Sequence, residues 1–298
     1  MEGLVHSQVN PNNPICGSFR QYRLAFLPAL SIHLTKSLTR SCSLTMKHLQ
    51  SFSPVAASIQ PSQASKLGHF DNTLPSKGVL DLWRSADAVC FDVDSTVCQD
   101  EGIDELADFC GAGKAVAEWT ARAMGGSVPF EQALAARLSL FKPSLSQVQE
   151  FLEKRPSKIS PGIDALMKKL KAKSSDIYLI SGGFRQMIKP VASMLGIPPE
   201  NIFANQLLFG SSGEILGFDA NEPTSRNGGK AIAVQQIRKV HGYKALAMIG
   251  DGATDLEARK PGGADMFICY AGVRLREAVG AKADWLVFNF TDLLNSLE

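Results

Sequence analysis

Four short apolar runs, each followed directly by a polar cluster, constrain the fold of this 298-residue chain more than any other feature. Each run is apolar throughout, which is typical of strands buried on both faces of a parallel sheet. The runs and their clusters are residues 88–91 before 92–96, 177–180 before 181–183, 245–249 before 250–252, and 266–269 before 270–272. Ligands of such sheets lie beyond the carboxyl ends of the strands, so we expect the polar clusters to share one site.

Helical patterns lie between several of these runs, notably over residues 164–173 and 230–240. Strand and helix patterns that alternate in this way predict an α/β protein with a doubly wound, mostly parallel sheet. Residues 205–219 predict a β-hairpin that turns at Ser211, Ser212 and Gly213.

The segment between the first two apolar runs carries no convincing strand pattern. It contains four helical patterns, over residues 102–110, 114–124, 130–140 and 146–154. We therefore predict a core domain of residues 76–100 and 157–298, with a helical cap of residues 101–156 inserted into it. Such an insertion suggests a cap that closes over the site. The alternative is one long crossover without a mobile role.

Charge is distributed unevenly along the chain. Residues 1–70 hold six of the 31 basic side chains and one of the 29 acidic ones, so the remainder carries 25 − 28 = −3. The net charge of +2 is too small to indicate a nucleic-acid surface. No apolar run reaches the length of a membrane-spanning helix. Residues 1–66 are basic, rich in serine and poor in acid, which predicts a transit peptide. A disordered tail without a targeting role is the alternative.

Two pairs of carboxylates come directly after predicted strands. Asp92 and Asp94 follow the first run, and Asp251 and Asp255 follow the third. Like charges this close repel each other unless one is protonated or a cation is shared. Such pairs suit a nucleophile beside a general acid or base, with Mg²⁺ bound by oxygen ligands. The alternative is an Asx turn at the first pair and a glycine-rich turn at the second.

Two further elements suit a bound anion. Ser181, Gly182 and Gly183 offer a hydroxyl and backbone N–H groups before a helix, which together can form an anion cradle. Lys230 stands at the start of a predicted helix and can neutralise a phosphate. Taken singly, a plain loop and a solvated lysine are the simpler interpretations. The occurrence of all four elements, nearly all at strand ends, favours a joint site.

The chain resembles the haloacid-dehalogenase-like phosphatases over residues 76–298. The motifs that carry the resemblance are Asp92-x-Asp94-Ser95-Thr96, Ser181-Gly182-Gly183, Lys230, and Gly250-Asp251-Gly252-x-x-Asp255. Residues 91–97, 101–107 and 181–184 are similar to those of family members that hydrolyse O-phospho-L-serine. The resemblance implies a Rossmann-like core with an inserted helical cap, and a phosphatase that performs the last step of phosphorylated serine biosynthesis.

The resemblance also implies roles for residues of the core. Asp92 would be the nucleophile, and Asp94 the general acid and then the general base. Mg²⁺ would be held by Asp92, Asp251 and the backbone carbonyl of Asp94. The residues implied to bind or support the phosphate are Ser181, Gly182, Gly183, Lys230, Thr254 and Asp255.

The predicted cap would read the amino-acid part of the substrate. Glu101 can pair with an ammonium group, and Arg137 can hold a carboxylate with two hydrogen bonds. Met124 and Gly125 match substrate contacts of the family. Without the resemblance, Glu101 reads as an acid favoured by a helix dipole and Arg137 as a solvated side chain.

The expected partners are a small phosphorylated substrate and the organelle import machinery that would recognise the leader. With the leader, the chain resembles a plastid form from a plant, and a mitochondrial address is the alternative. Two other functions remain open. One is a phosphatase or phosphotransferase for another small phosphate such as phosphohomoserine, and the other is a non-catalytic module that binds phosphoserine.

Overall fold

A parallel sheet organises the part of the chain that the computed structural model describes, residues 70–124 and 128–298. Within these residues, six parallel strands form one sheet in the order β3-β2-β1-β6-β7-β8, and β4 and β5 form a separate antiparallel pair. The strands are β1 (Ala88–Phe91), β2 (Asp176–Phe184), β3 (Ile202–Asn205), β4 (Leu207–Phe209), β5 (Ile215–Phe218), β6 (Leu246–Gly250), β7 (Met266–Tyr270) and β8 (Trp285–Val287). The predicted α/β class and mostly parallel sheet are confirmed.

Helices cover both faces of the sheet. In chain order they are α1 (Lys77–Arg84), α2 (Gly102–Phe109), α3 (Gly113–Met124), α4 (Phe130–Phe141), α5 (Leu145–Lys154), α6 (Ile163–Ala172), α7 (Arg185–Met194), α8 (Gly229–His241), α9 (Ala253–Leu256), α10 (Glu277–Gly280) and α11 (Phe290–Asn295). Helices α1, α6, α7 and α11 pack on one face, and α8 and α10 pack on the other.

Strand β1 shows why its residues favour this arrangement. Val89 and Phe91 point into one apolar cluster, and Ala88 and Cys90 point into the opposite one. Alternate residues of a strand face opposite sides of the sheet, so a strand covered on both sides must be apolar at every position. All four residues are fully buried.

Helices α2–α5 lie between β1 and β2, where the sequence predicted four helices. Each observed end lies within one residue of its predicted position. The four helices share an apolar cluster of their own, in which Leu106, Val116 and Leu134 are fully buried. Phe184 of β2 and Leu207 of β4 join this cluster. The helices therefore pack against the end of β2 and against the β4–β5 hairpin.

The structure differs from the sequence prediction around β2 and at two edge strands. Strand β2 continues to Phe184, and its pairing with β3 shifts register between Ile180 and Phe184. The polar residues 181–183 thus lie in an irregular part of the strand rather than after it. Strands β3 and β8 were not among the predicted runs; both lie at the sheet edges, and β8 has only three residues. The predicted hairpin is confirmed, with the Gly213 N–H donating to the Gly210 carbonyl at its turn.

Parts of the sequence prediction lie outside the described residues, namely the leader (1–66) and Gly125. None of the described helices combines the length and the apolar character that crossing a membrane requires.

Candidate active site

The candidate site lies where the carboxyl ends of three adjacent strands meet. Strand β1 is paired with β2 on one side and with β6 on the other. Asp92 follows β1 directly, Ser181 lies near the end of β2, and Asp251 follows β6. The predicted gathering of these clusters at one edge of the sheet is therefore observed.

The turn after β1 directs Asp92 and Asp94 into different surroundings. The chain forms a single wide turn over Val93–Val97, in which Ser95 has a φ of 56°. Asp92 Oδ1 accepts a hydrogen bond from the Val93 N–H at 2.8 Å. Asp94 turns instead toward the Gly102 N–H, which donates to Oδ1 at 2.7 Å, and toward the Ser181 hydroxyl, which donates to Oδ2 at 3.1 Å.

Lys230 connects the two carboxylate clusters. Its ammonium donates to Asp92 Oδ1 at 2.5 Å and to Asp255 Oδ1 at 2.7 Å. All three residues are buried, with Asp255 completely inaccessible to solvent. Burial disfavours the charge on Lys230, but Asp255 and Asp92 outweigh it and raise the lysine pKa above its ordinary value. Lys230 is therefore a fixed positive charge at the centre of the site.

Residues 181–183, in the irregular part of β2, leave little room for a side chain at two positions. The Gly183 N–H donates to Ser181 Oγ at 2.8 Å, which orients the hydroxyl toward Asp94. A Cβ on Gly183 would lie 3.0 Å from Asp94 Oδ2, and one on Gly182 would lie 2.9 Å from Cζ of Phe130. Real side chains rarely tolerate such distances, so glycine allows Asp94 and the Phe130 ring to approach the backbone.

Asn205 holds this part of β2 from the neighbouring strand. Its side chain is fully buried at the end of β3, and Nδ2 donates to the Gly182 carbonyl at 2.8 Å. Its Oδ1 accepts from the Thr224 hydroxyl at 3.2 Å. The hydrogen bonds between β2 and β3 are interrupted where the register shifts. The Asn205 amide satisfies the Gly182 carbonyl in place of a strand hydrogen bond.

The remaining acid of the cluster, Asp251, faces an arginine. Arg276 Nε donates to Asp251 Oδ2 at 2.9 Å. One carboxylate oxygen each of Asp92, Asp251 and Asp255 lies within 4.8 Å of the other two. Such a group of oxygen donors is suited to a hard cation.

Burial of so many carboxylates perturbs their titration. It raises the pKa of Asp92 well above its usual value, and the charges of Asp255 and Asp251 act in the same direction. Burial and Asp255 raise the pKa of Asp251 to about 6 despite Arg276. Burial and the charge of Glu101 raise the pKa of Asp94 to about 6. The site is therefore short of positive charge, and an added cation or proton would stabilise it.

Two predicted residues lie on the side of the helices α2–α5. Glu101 precedes α2, and its Oε1 accepts from the Ser95 hydroxyl at 2.8 Å and lies 3.9 Å from Arg274 Nη1. Arg137 of α4 is buried, and its Nη1 donates to the Thr120 hydroxyl at 3.3 Å. Burial lowers the pKa of Arg137, while Asp104, Asp94 and Glu101 oppose that effect. Arg137 is thus not the solvated side chain that its helix pattern alone suggests.

Of the remaining predicted residues, Asp255 lies at the centre of the site, while Thr254 is exposed. Thr254 is exposed on the short helix α9. Asp255, on the same helix, accepts from the Gly252 N–H at 2.9 Å through Oδ2 while its Oδ1 holds Lys230. Met124 ends α3.

Sequence reasoning missed Asn205 and Arg276 as members of the site. Both act through tertiary contacts with residues at least 19 positions away in the chain, so no local motif marks them. The position of Asn205 at the end of a strand is the one signal that could have singled it out.

Comparison with known proteins agrees with the geometry. Residues 86–263 match the family model of the haloacid dehalogenase-like hydrolases. The chain is 68% identical over its whole length to chloroplastic phosphoserine phosphatase of Arabidopsis thaliana, with both chains fully covered. It is 49% identical to human phosphoserine phosphatase over 73% of this chain and 96% of the human one.

A solved structure supports the same assignment. A phospho-aspartyl intermediate analogue of phosphoserine phosphatase superimposes with a TM-score of 0.62 at 26% identity, covering 72% of this chain and 99% of the other. The chain therefore belongs to the haloacid dehalogenase-like hydrolases and, within them, to the family of the phosphoserine phosphatases.

Replacement of Asn205 tests the support of residues 181–183. We expect Asn205→Ala to lower the free energy of unfolding by about 1–3 kcal/mol, because the Gly182 carbonyl and the Thr224 hydroxyl lose a buried partner. Urea unfolding followed by circular dichroism measures the change. Asn201→Ala is the matched control, because Asn201 also donates to a carbonyl of β2, that of Ile177 at 2.9 Å, but is partly exposed. Equal losses in the two variants would contradict the buried role of Asn205.

Proposed function

We propose that this chain hydrolyses O-phospho-L-serine to L-serine and inorganic phosphate. The observation that carries the proposal is the buried group in which Lys230 bridges Asp92 and Asp255 while Asp94 faces Ser181. Phosphoryl transfer needs a positioned nucleophile and fixed charge around the phosphate more than any other chemistry. The substrate is inferred from the relatives named phosphoserine phosphatases, which match the whole of this chain in the Arabidopsis protein and 73% of it in the human one.

In the first step, a carboxylate oxygen of Asp92 attacks phosphorus, and the bond between phosphorus and the serine oxygen breaks. Protonated Asp94 gives its proton to that oxygen, so that serine leaves as an alcohol. In the second step, ionised Asp94 takes a proton from water, the water oxygen attacks phosphorus, and the bond to Asp92 breaks. A pKa near 6 makes both states of Asp94 accessible near neutral pH.

Mg²⁺ is the cofactor of this proposal, and the donor set fits it. Four carboxylates and two cations lie in contact or interact through their charge, with a formal sum of −2: Asp92, Asp94, Asp251, Asp255, Lys230 and Arg276. The residues that would hold the ion are Asp92, Asp251 and the carbonyl of Asp94. Bound there, the ion would neutralise charge on the phosphoryl oxygens.

Binding of the phosphate rests on the cradle and the lysine. The Ser181 hydroxyl and the backbone of Gly182 and Gly183 would donate to phosphate oxygens, and Lys230 would offset their charge. Asp255 would fix the lysine through the hydrogen bond at 2.7 Å. Thr254 would support the same end of the site.

Recognition of the amino acid falls to the helices α2–α5. Glu101 would pair with the substrate ammonium and Arg137 with its carboxylate. Met124 and Gly125 would complete the contacts on that side. We retain the division into a core (76–100 and 157–298) and a helical cap (101–156), because α2–α5 supply most residues of one apolar cluster.

In this proposal the protein acts in the plastid stroma, at the last step of phosphorylated serine biosynthesis. The supporting observation is that the similarity to the chloroplastic relative spans residues 1–298, which includes the basic, acid-poor leader. Organelle import machinery would recognise residues 1–66.

Release of phosphate from a set of substrates tests the function. We expect rapid release from O-phospho-L-serine with Mg²⁺, little with EDTA, and restoration when Mg²⁺ is added back. Phosphohomoserine and phosphothreonine are the matched comparisons. Phosphohomoserine carries one extra methylene, for which discrimination of about 10- to 200-fold is typical. Faster turnover of phosphohomoserine would overturn the assigned substrate, and no turnover of any phosphate would favour a binding module.

Loss of the nucleophile tests the mechanism. We expect Asp92→Asn to lower kcat by about 10³-fold or more, because an amide cannot form the phosphoenzyme. Mass spectrometry of acid-quenched samples should find one phosphoryl group on wild-type enzyme during turnover and none on the variant. Asp81→Asn, on the exposed face of α1, is the control and should retain full activity. A phosphorylated or fully active Asp92→Asn enzyme would contradict the mechanism.

Removal of the guanidinium tests recognition of the carboxylate. We expect Arg137→Ala to raise KM for O-phospho-L-serine by about 10- to 100-fold, since hydrogen bonds between charged groups contribute about 1.5–3 kcal/mol. KM for an aryl phosphate, which has no carboxylate, should change less than about threefold. Arg155→Ala is the control, because Arg155 pairs with Asp108 at the surface of the same helices. Equal losses on both substrates would refute the role of Arg137.

A further inference from the structure

The first turn of α4 is capped by a residue from a distant part of the chain. The helix begins at Phe130 after Pro129, whose side chain has no hydrogen-bond acceptor. The first N–H groups of a helix need partners outside the helix. The Phe130 N–H donates to Asn227 Oδ1 at 2.9 Å, and Asn227 lies in the loop before α8.

A second hydrogen bond runs in the opposite direction. The Asn227 N–H points to Glu131 Oε2 at 3.4 Å. In a capping box, a side chain accepts from a helix N–H while a helix side chain accepts from the capping residue. Here the same reciprocal relation joins two segments that are 96 residues apart. We call Asn227, Phe130 and Glu131 the latch.

The latch joins two parts of the candidate site, the loop before Lys230 and the start of α4. Asn227 precedes Lys230 by three residues, so one side of the latch belongs to the loop that leads to the central lysine. The other side is the start of α4. The Phe130 ring lies so close to Gly182 that a Cβ on this glycine would be 2.9 Å from Cζ of the ring. Arg137 lies two turns further along the same helix.

The reacting groups have little exposure to solvent in this arrangement. Asp92 is 5% exposed and Lys230 is 9% exposed, which fits a closed state that must open to admit a phosphomonoester. Asn227 and Glu131 are exposed, so water can replace both hydrogen bonds when the segments part. Such bonds bias the closed arrangement without making it permanent.

We propose that Asn227 is a positioning residue that holds the start of α4 against the lysine loop and thereby sets the fraction of closed molecules. The inference rests on the proposed function and extends it, because a ligand that needs the closed state binds in proportion to that fraction. Asn227 touches neither the phosphate nor the reacting atoms. Its effect falls on substrates that must contact both α4 and the core.

Three variants test the latch. Asn227→Leu removes the acceptor at similar size, Asn227→Asp retains an acceptor, and Asn221→Leu is the control. Asn221 is an exposed asparagine of the same connection between β5 and α8, and its side chain bonds only to Asp219. Full-length protein is used throughout, and thermal unfolding verifies that every variant is folded.

The first measurement needs no substrate. Hydrogen exchange, read by mass spectrometry for a peptide that covers the first turn of α4, should accelerate about fivefold in Asn227→Leu. Asn227→Asp and Asn221→Leu should exchange within twofold of wild type. Unchanged exchange in Asn227→Leu would overturn the inference.

The second measurement is steady-state kinetics with O-phospho-L-serine. We expect Asn227→Leu to raise KM about fivefold with kcat within twofold, and Asn227→Asp to restore KM. The inhibition constant of inorganic phosphate, which contacts the core alone, should change less than twofold. Parallel losses in kcat, KM and phosphate inhibition would show that Asn227 merely places Lys230 and would overturn the latch.

The two measurements separate this inference from the proposed function. If wild-type protein does not hydrolyse O-phospho-L-serine, the proposed function fails, while the exchange rates still decide whether the latch exists. If wild type is active and Asn227→Leu matches it in both exchange and KM, only the latch fails.

Discussion

The site depends on the buried ion pairs that the ammonium of Lys230 forms with Asp92 and Asp255. A charged group taken out of water is stable only when it is paired, and Lys230 is paired twice, with Asp92 and with Asp255. The dependence is mutual, because without the lysine these two acids would be left as buried charges close together. The sheet order makes the arrangement possible, since β1 and β6 are neighbours and bring Asp92 and Asp251 to one edge. Lys230 lies in the first turn of helix α8.

In the proposed function, the reacting groups and the groups that select the substrate belong to different parts of the chain. Asp92 and Asp251 follow strands that are buried on both faces, so their positions are as rigid as the sheet. Glu101, just before α2, and Arg137 of α4 would select the substrate. The apolar cluster of α2–α5 also contains Phe184 and Met187, so these helices are packed against the sheet domain. On this proposal the core motifs are shared by the superfamily, and the substrate depends on the helical residues.

Much of the fold follows from local patterns, and the site follows only in part. Apolar runs and helical periodicity predicted the bounds of β1, β6, β7, α2–α6 and α8 to within one residue, because buried strands and amphipathic helices leave a clear signature. Strand β8 was not predicted, because three residues are too few to form a recognisable apolar run. Asp92 and Lys230 belong to motifs whose spacing reflects their chemistry. Asn205 and Arg276 do not, because each serves a partner that only folding brings near.

A closed site of this kind limits how strongly its two halves can be joined. A buried ion pair between α4 and the lysine loop would favour closure, but opening would then expose an unpaired charge and slow both entry and release. Hydrogen bonds at the surface avoid this cost, because water replaces them when the segments separate. Asn227 and Glu131 have that exposed position. At the start of α4, the contacts with the loop before Lys230 are thus exposed hydrogen bonds, whereas the ion pairs of Lys230 itself are buried within the core.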